Sequence, residues 1–242
     1  MSLKNSKFLN YSKKYNIIKK IYFFYNIFIR NYKYFYKNSQ FGEDKIILNL
    51  FPKNFVGNFI DIGCYHPTKY NNTYLFYRKG WRGINIDLNP LSIELFNYLR
   101  PGDTNICAAV SNTEGKKTFF FTGDLSPENS IEKSYKFFLK NNFNISPNDI
   151  KEKKIKAFKL QNILNKYSIK NINLLSIDIE GHELKVLRSL NLRKIYIDVI
   201  CVEILSYNST SKKRTKSIID YLKKNGYFLK TKTRVNYIFK KK

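Results

Sequence analysis

Apolar residues along the chain change period. In "YNIIKKIYFFYNIFIRNYKYFYK", Ile17, Ile18, Ile21, Tyr25, Phe28, Ile29, Tyr32 and Tyr36 recur at three- and four-residue steps, with Lys19, Lys20, Asn26, Arg30 and Lys33 mostly between them. That spacing predicts an amphipathic helix. "NSQFGEDKIILNLF" reads as a second helix. Short continuous apolar runs then alternate with helical patterns. "NFIDIG" is a strand, residues 71–79 a helix, "RGINID" a strand, Pro90 to Leu99 a helix, and "TNICAAVS" a third strand. "GKKTFFFTG" adds a strand, and "SPENSIEKSYKFFLKNNFNISPNDIKEK" reads as a polar, mobile insertion. "KIKAFKLQNILNKY" is a strand turning into a helix. The alternation resumes with "NLLSIDIEG", "HELKVLRSL" and "YIDVICVEI", and closes with the helix "TKSIIDYLKKNG" and an antiparallel pair in "YFLKTKTRVNYIFK". Such alternation predicts an α/β domain, its mostly parallel sheet covered by helices on both faces and ended by an antiparallel C-terminal strand. The boundaries read as a basic helix over 1–37 and one domain over 38–242, with the insertion at about 122–154. There is no internal repeat.

Charge changes this picture little. The formal net charge is +26, but residues 1–37 carry nine Lys/Arg and no acid, and residues 212–242 carry twelve against Asp220 alone. The excess is therefore at the two ends of the chain. Usage rich in Lys, Asn, Ile, Tyr and Phe also fits an AT-rich genome, so the charge is weak evidence for a polyanion partner. The N-terminal helix, acid-free and aromatic, suits either packing on the domain or lying in the interface of an anionic membrane. Its "IYFFYNIFI" core is shorter than a membrane span and lacks a small-residue cleavage site. Cys64, Cys107 and Cys201 are far apart, without C-x-x-C spacing. They read as buried free thiols of a cytoplasmic protein.

The strand ends carry the chemistry. In an open parallel sheet, ligands bind beyond the carboxyl ends of the strands, where strand order reverses. Asp61, Asp87, Asp178 and Glu203 lie at or near such ends. Four carboxylates together repel unless a ligand or cation lies among them. The first loop, "DIGCYHP", has one glycine where a dinucleotide site needs several, and Pro67 offers no amide to a phosphate. A leading aspartate there favours a cationic ligand. S-adenosylmethionine, with an ammonium, a sulfonium and ribose hydroxyls suited to Asp87, is such a ligand.

The segments "SQFGEDKII", "FIDIGCYHPTKYNNTYLFYRKGWRGINIDLNP", "AAVSNTEGKKTFFF" and "LLSIDIEGHELKVLRSL" together resemble the FkbM family of S-adenosylmethionine-dependent methyltransferases. The resemblance runs from about Ser39 to Tyr207, with the D-x-E-G-x-E block its most specific part. It does not cover the N-terminal helix or the C-terminal tail. It implies a Rossmann-like class I methyltransferase fold, S-adenosylmethionine as methyl donor, and a sugar, glycan or natural-product hydroxyl as acceptor. Carried onto this sequence, it places Asp61 and Gly63 near the methionine part of the cofactor and Asn72 and Thr73 at its carboxylate. Asp87 would hold the ribose and Asn89 would lie near the adenine. Gln40 and Glu43 would close over cofactor or substrate, or simply cap the helix that follows them.

A hydroxyl acceptor needs its proton taken. Asp178 and Glu180 share a face while their strand persists, and His182 starts the next helix, so these three are the acceptor-side candidates. Alternatively, Asp178 with Glu203 holds a divalent metal that acidifies the hydroxyl. Glu183 reads as a first-turn acid favoured by the helix dipole. Two other readings compete. One is a nucleic-acid-binding protein or nucleic-acid methyltransferase using the basic ends; the enzyme is disfavoured because "DIEG" stands where base methyltransferases acting on exocyclic amines carry an N/D-P-P-aromatic loop. A membrane-associated module with a degenerate site, on the inner face of the membrane, would not bind S-adenosylmethionine.

Overall fold

A computed structural model describes residues 16–37, 39–127, 129–204 and 209–242. The first fifteen residues of the expected N-terminal helix, and Tyr207 at the end of the resemblance, lie outside the described residues.

The main sheet has seven strands. These are β1 (Asn58–Ile62), β2 (Arg82–Asp87), β3 (Thr104–Cys107), β8 (Asn171–Ile177), β9 (Tyr196–Glu203), β10 (Tyr227–Lys232) and β11 (Asn236–Lys241). Their order is β3-β2-β1-β8-β9-β11-β10. The first five run parallel, while β11 is antiparallel to both β9 and β10. Strand order reverses between β1 and β8, which makes that junction the switch point. The alternation of β1 divides the core between the two faces. Ile60 and Ile62 join one cluster with Leu160, Val186 and Ile218, while Phe59 joins the other with Ile47, Phe76 and Trp81. Helices therefore cover both sides. They are α2 (Glu43–Leu48) and α3 (Tyr74–Arg78) on one, and α6 (Leu160–Lys166), α7 (Glu183–Ser189) and α8 (Ser209–Lys224) on the other. The helix α4 (Pro90–Leu99) starts where the sequence suggests, because Pro90 fixes the first helical turn and the Asn89 side chain accepts from Leu91 N.

Four expectations change. "TNICAAVS" is two strands: β3 stops at Cys107, and β4 (Ala109–Val110) joins a second sheet of order β4-β7-β5-β6. That sheet comprises also β5 (Gly115–Phe121), β6 (Asn129–Ser130) and β7 (Lys151–Phe158). The polar insertion is structured around its own small core. On α5 (Lys133–Phe143), Tyr135, Phe138 and Leu139 share a face and pack with Phe120 and Ile150. Cys64 and Cys201 are buried, but Cys107, at the end of a sheet-edge strand, is exposed. Finally, the N-terminal segment turns its stripe the other way. It runs as α1 (Asn16–Phe24), a π-helical stretch over Tyr25–Arg30 and a 3-10 turn over Tyr32–Phe35. The residues it buries are Tyr22, Phe23, Asn26, Ile27, Asn31 and Tyr34, packed in part on Leu95, whereas Ile17, Ile21, Phe28 and Tyr32 point outward. Both faces are apolar, so periodicity alone did not choose between them.

Candidate active site

Register builds the site. Ile62 pairs with Ile86 on one side and Ile177 on the other, and Ile177 pairs with Val202. The next residue along each strand is therefore level with its neighbours, in the row Asp87, Gly63, Asp178, Glu203. Adjacent strands are roughly 4.8 Å apart, so Asp87 and Asp178 stand about 10 Å from each other across a glycine. A cavity of about 500 Å³ opens above this row, within the ~300–1,000 Å³ typical of small-molecule sites. Gly63, Asn72, Asp87, Asp178, Glu180, His182, Glu203 and Gln40 line it; Asp61, Thr73, Asn89 and Glu43 do not.

The glycine is obligatory. Gly63 has φ +78°, and a Cβ there would lie 1.6 Å from the Asp178 carbonyl oxygen. Its N–H donates to Ile86 O at 2.8 Å, and Asp178 N–H donates to Ile62 O at 2.9 Å. The three strand ends are thus locked together around a bare patch of backbone.

Asp87 is buried and accepts from two amides, Tyr65 N at 2.8 Å and Asn89 N at 2.7 Å, one on each oxygen. The Leu88 amide also bonds it, and since a carboxylate has about four acceptor positions and Asp87 lines the cavity, room remains for a hydroxyl donor. Burial pushes its carboxyl up to about 6, against the pull of those amides. Asn89 is spent on structure: its side chain caps α4 and donates to Asp124 O.

Asp61 faces the other side of the sheet. Its Oδ2 accepts from Thr73 Oγ1 at 2.8 Å and Asn71 Nδ2 at 3.1 Å, and burial raises its pKa. Arg100, fully buried, bonds Thr73 Oγ1 and Asn71 Oδ1 and pairs with Asp103 at 2.8 Å. Asp61 and Thr73 therefore fix the loop that presents Asn72, and do not themselves reach the cavity. Glu43 acts similarly. It accepts from Phe41 N at 2.9 Å, Thr233 Oγ1 at 2.7 Å and Asn236 Nδ2 at 3.1 Å. This ties the Gln40–Phe41 wall to the C-terminal strands. No side-chain bond caps α2, whose N-cap is Gly42 at φ +85°.

The acidic end is crowded. Asp178, Glu180 and Glu203 each place a carboxylate oxygen within 4.8 Å of the others. Asp178 and Glu203 share a hydrogen bond; burial and then the neighbouring Glu203 charge raise Asp178 well above the ordinary carboxylate range, and burial pushes Glu203 up to about 7. Glu180 has φ +51° and Gly181 φ +108°, so the chain bends sharply into α7. Tyr65 (φ +54°) and Tyr70 (φ +52°) also line the cavity in the left-handed region, and strain of this kind is common at functional sites.

His182 is a surprise. It is buried, its Nε2 lies 3.0 Å from Ser111 Oγ, and its Nδ1 lies 2.5 Å from Glu132 Oε1. Both ring nitrogens already have protein partners, and the hydrogen bond from His182 holds Glu132 down to about 2. Glu132 and Ser111, distant in sequence, were missed, as were Tyr65, Tyr70, Tyr135 and Phe138 in the cavity wall. Only the aromatic spacing of α5 was a signal for any of them.

No match is found among curated proteins. Among solved structures, a TehB-like SAM-dependent methyltransferase from Corynebacterium glutamicum is 11% identical, with 98% of this chain and 99% of that one covered and a TM-score of 0.44. A candidate rRNA-methylase from Clostridium thermocellum is 12% identical, with 83% and 95% covered and a TM-score of 0.43. Phosphoethanolamine N-methyltransferase 1 of Haemonchus contortus, solved with phosphoethanolamine and S-adenosylhomocysteine, is 10% identical, with 87% and 42% covered and a TM-score of 0.32. The model of the methyltransferase FkbM domain matches residues 61–229, from Asp61 in β1 to the first strand of the C-terminal pair, and the chain therefore belongs to the FkbM methyltransferase family.

Proposed function

We propose that this methyltransferase uses S-adenosylmethionine to methylate a hydroxyl of a sugar, glycan or related small molecule. The observation that carries the reading is the row at the strand ends: a carboxylate with open acceptor positions (Asp87), a bare glycine, then an acidic cluster two strands away. Asp87 accepts the ribose hydroxyls, and Gly63, required by the close approach of the Asp178 carbonyl, leaves only backbone between the two carboxylates. Asn72, in the loop held by Asp61 and Thr73, faces the carboxylate end of the cofactor. Bound there, S-adenosylmethionine supplies an electrophilic methyl group.

On the other side of Gly63, Asp178 and Glu203, which share a hydrogen bond, would orient the acceptor hydroxyl, and the pair would take its proton as the oxygen–methyl bond forms and the methyl–sulfonium bond breaks to leave S-adenosylhomocysteine, with Glu180 completing the acidic wall. His182, held between Ser111 and Glu132, positions the start of α7 beside that wall. Tyr65, Tyr70 and Phe41 give the cavity aromatic sides, suited to the face of a sugar ring. A phosphate backbone would meet the acidic wall directly, so the reading excludes a nucleic-acid acceptor. Asp178, Glu180 and Glu203 together are also a hard-oxygen donor set suited to a divalent cation, which would acidify the same hydroxyl. We place the activity in the cytoplasm, where the thiols stay reduced.

Incubation with methyl-labelled S-adenosylmethionine and a glycan fraction tests this. Label should enter an alkali-stable ether, and Asp178→Asn should lower turnover by roughly 10²-fold or more. Activity lost to chelator and restored by a divalent ion assigns the deprotonation to a metal; indifference assigns it to the side chain. Wild-type turnover in both Asp178→Asn and Glu180→Gln would place the acceptor elsewhere.

A further inference from the structure

The N-terminal arm is apolar on two sides, and among the described residues only one of them is packed. Tyr22, Phe23 and Ile27 pack on the domain, while Ile17 (72% exposed), Ile21 (64%), Phe24 (49%), Phe28 (38%) and Ile29 (55%) face outward. Phe24 and Phe28 lie with ring centroids 5.1 Å apart, and Phe28 stacks on Phe35 at 5.4 Å. The outward residues thus form one continuous patch along the arm, with Tyr32 extending it. A surface helix normally meets water with a polar face; one that is apolar all round is covered by something.

The charges around the patch say what covers it. Lys20, Arg30, Lys33 and Lys37 are exposed on the same segment, and no acid occurs in the sequence before Glu43. An apolar face on a segment whose own charges are all cationic, with Glu94 of the domain engaged by Lys19, complements an anionic bilayer, where the aromatic and aliphatic side chains enter the headgroup region and the cations meet lipid phosphates and carboxylates. Among the described residues no helix is long and apolar enough to cross a membrane, so the arm lies on the surface and does not span. We infer that the outward face of residues 17–32 docks the protein on anionic lipid membranes. The arm also touches the cavity wall, since Tyr34 meets Tyr70 with ring centroids 5.2 Å apart.

The test is co-sedimentation of the full chain with phosphatidylcholine vesicles, with and without about one-third phosphatidylglycerol. Three exposed apolar residues are changed in one variant (Ile21→Ser, Phe24→Ser, Phe28→Ser), and three cations in another (Lys20→Glu, Arg30→Glu, Lys33→Glu). We expect binding to the anionic vesicles only, weakened by salt, and reduced about tenfold or more in each variant. Equal partitioning to neutral and anionic vesicles, or wild-type partitioning of the charge-reversal variant, would overturn the proposal. So would a wild-type dimer that ignores vesicles and becomes monomeric in the serine variant, because the patch would then be a contact between two copies.

Discussion

His66 shows how one side chain can hold a loop and a helix together. Its Nδ1 accepts from Thr68 N at 3.2 Å and Lys69 N at 3.0 Å, and two amide donors there leave no room for a proton. Nε2–H then donates to Asn26 Oδ1 of the N-terminal arm at 2.9 Å. Burial, with Lys69 and Arg30 adding to it, lowers the imidazole to about 3 from an ordinary 6.5. Between those values the unfolded chain binds a proton that the native state refuses, so stability falls as pH drops through this window. From pH 7.5 to pH 5 this residue removes about 2 kcal/mol. Urea titrations of wild type and His66→Gln at both pH values measure it: the stability advantage of the wild type should shrink at pH 5, and a constant difference would contradict the account. The sequence groups Asp61, Gly63 and Asp87 at the strand ends, and the structure separates them: Gly63 and Asp87 line the cavity and Asp61 does not. Asp87 and Gly63 stand at strand ends, where the pattern of a run ending in a carboxylate or glycine points to a ligand. Asp61 has the same chemistry, yet it lies one residue inside its strand, opposite Asn85 and Ser176, and so serves the loop beneath.

The strands and helices of the main sheet follow from local rules: apolar runs of strand length, Pro90 and Asn89 at the head of α4, and glycine at the sharp bend before α7. The arm and the insertion were less legible for different reasons. An arm with apolar residues on both faces has no unique inward stripe. The insertion reads as polar because its core is small, yet Leu139 is completely buried between Tyr135, Phe138 and the second sheet. Leu139→Ala should cost about 2–5 kcal/mol, and the loss should be local. Amide exchange over 133–143 should accelerate while β1 and β8 keep their protection. Uniform acceleration across the molecule would mean that the insertion and the main sheet unfold as one unit. His182 lies at the join between these regions, bonded to Glu132 of the insertion, so the element that caps the cavity also holds the residue beside its acidic wall.

At the scale of the molecule, two asymmetries organise the protein. The net charge of +26 is carried largely by the chain ends, while the cavity gathers carboxylates at one end of the sheet. Burial raises the pKa of Asp61, Asp87, Asp178, Glu183 and Glu203 alike. The strand ends concentrate acids in this way, and the register across β2, β1, β8 and β9 separates Asp87 from Asp178, to which we propose different tasks. The central claim is that division: Asp87 belongs to the cofactor and Asp178 to the acceptor. Titration calorimetry of S-adenosylmethionine into the wild-type chain, Asp87→Ala and Asp178→Asn tests it most directly. The account predicts binding by the wild type, an affinity roughly tenfold or more weaker in Asp87→Ala, and nearly unchanged affinity in Asp178→Asn. Unaltered affinity in Asp87→Ala, or a loss confined to Asp178→Asn, would contradict it.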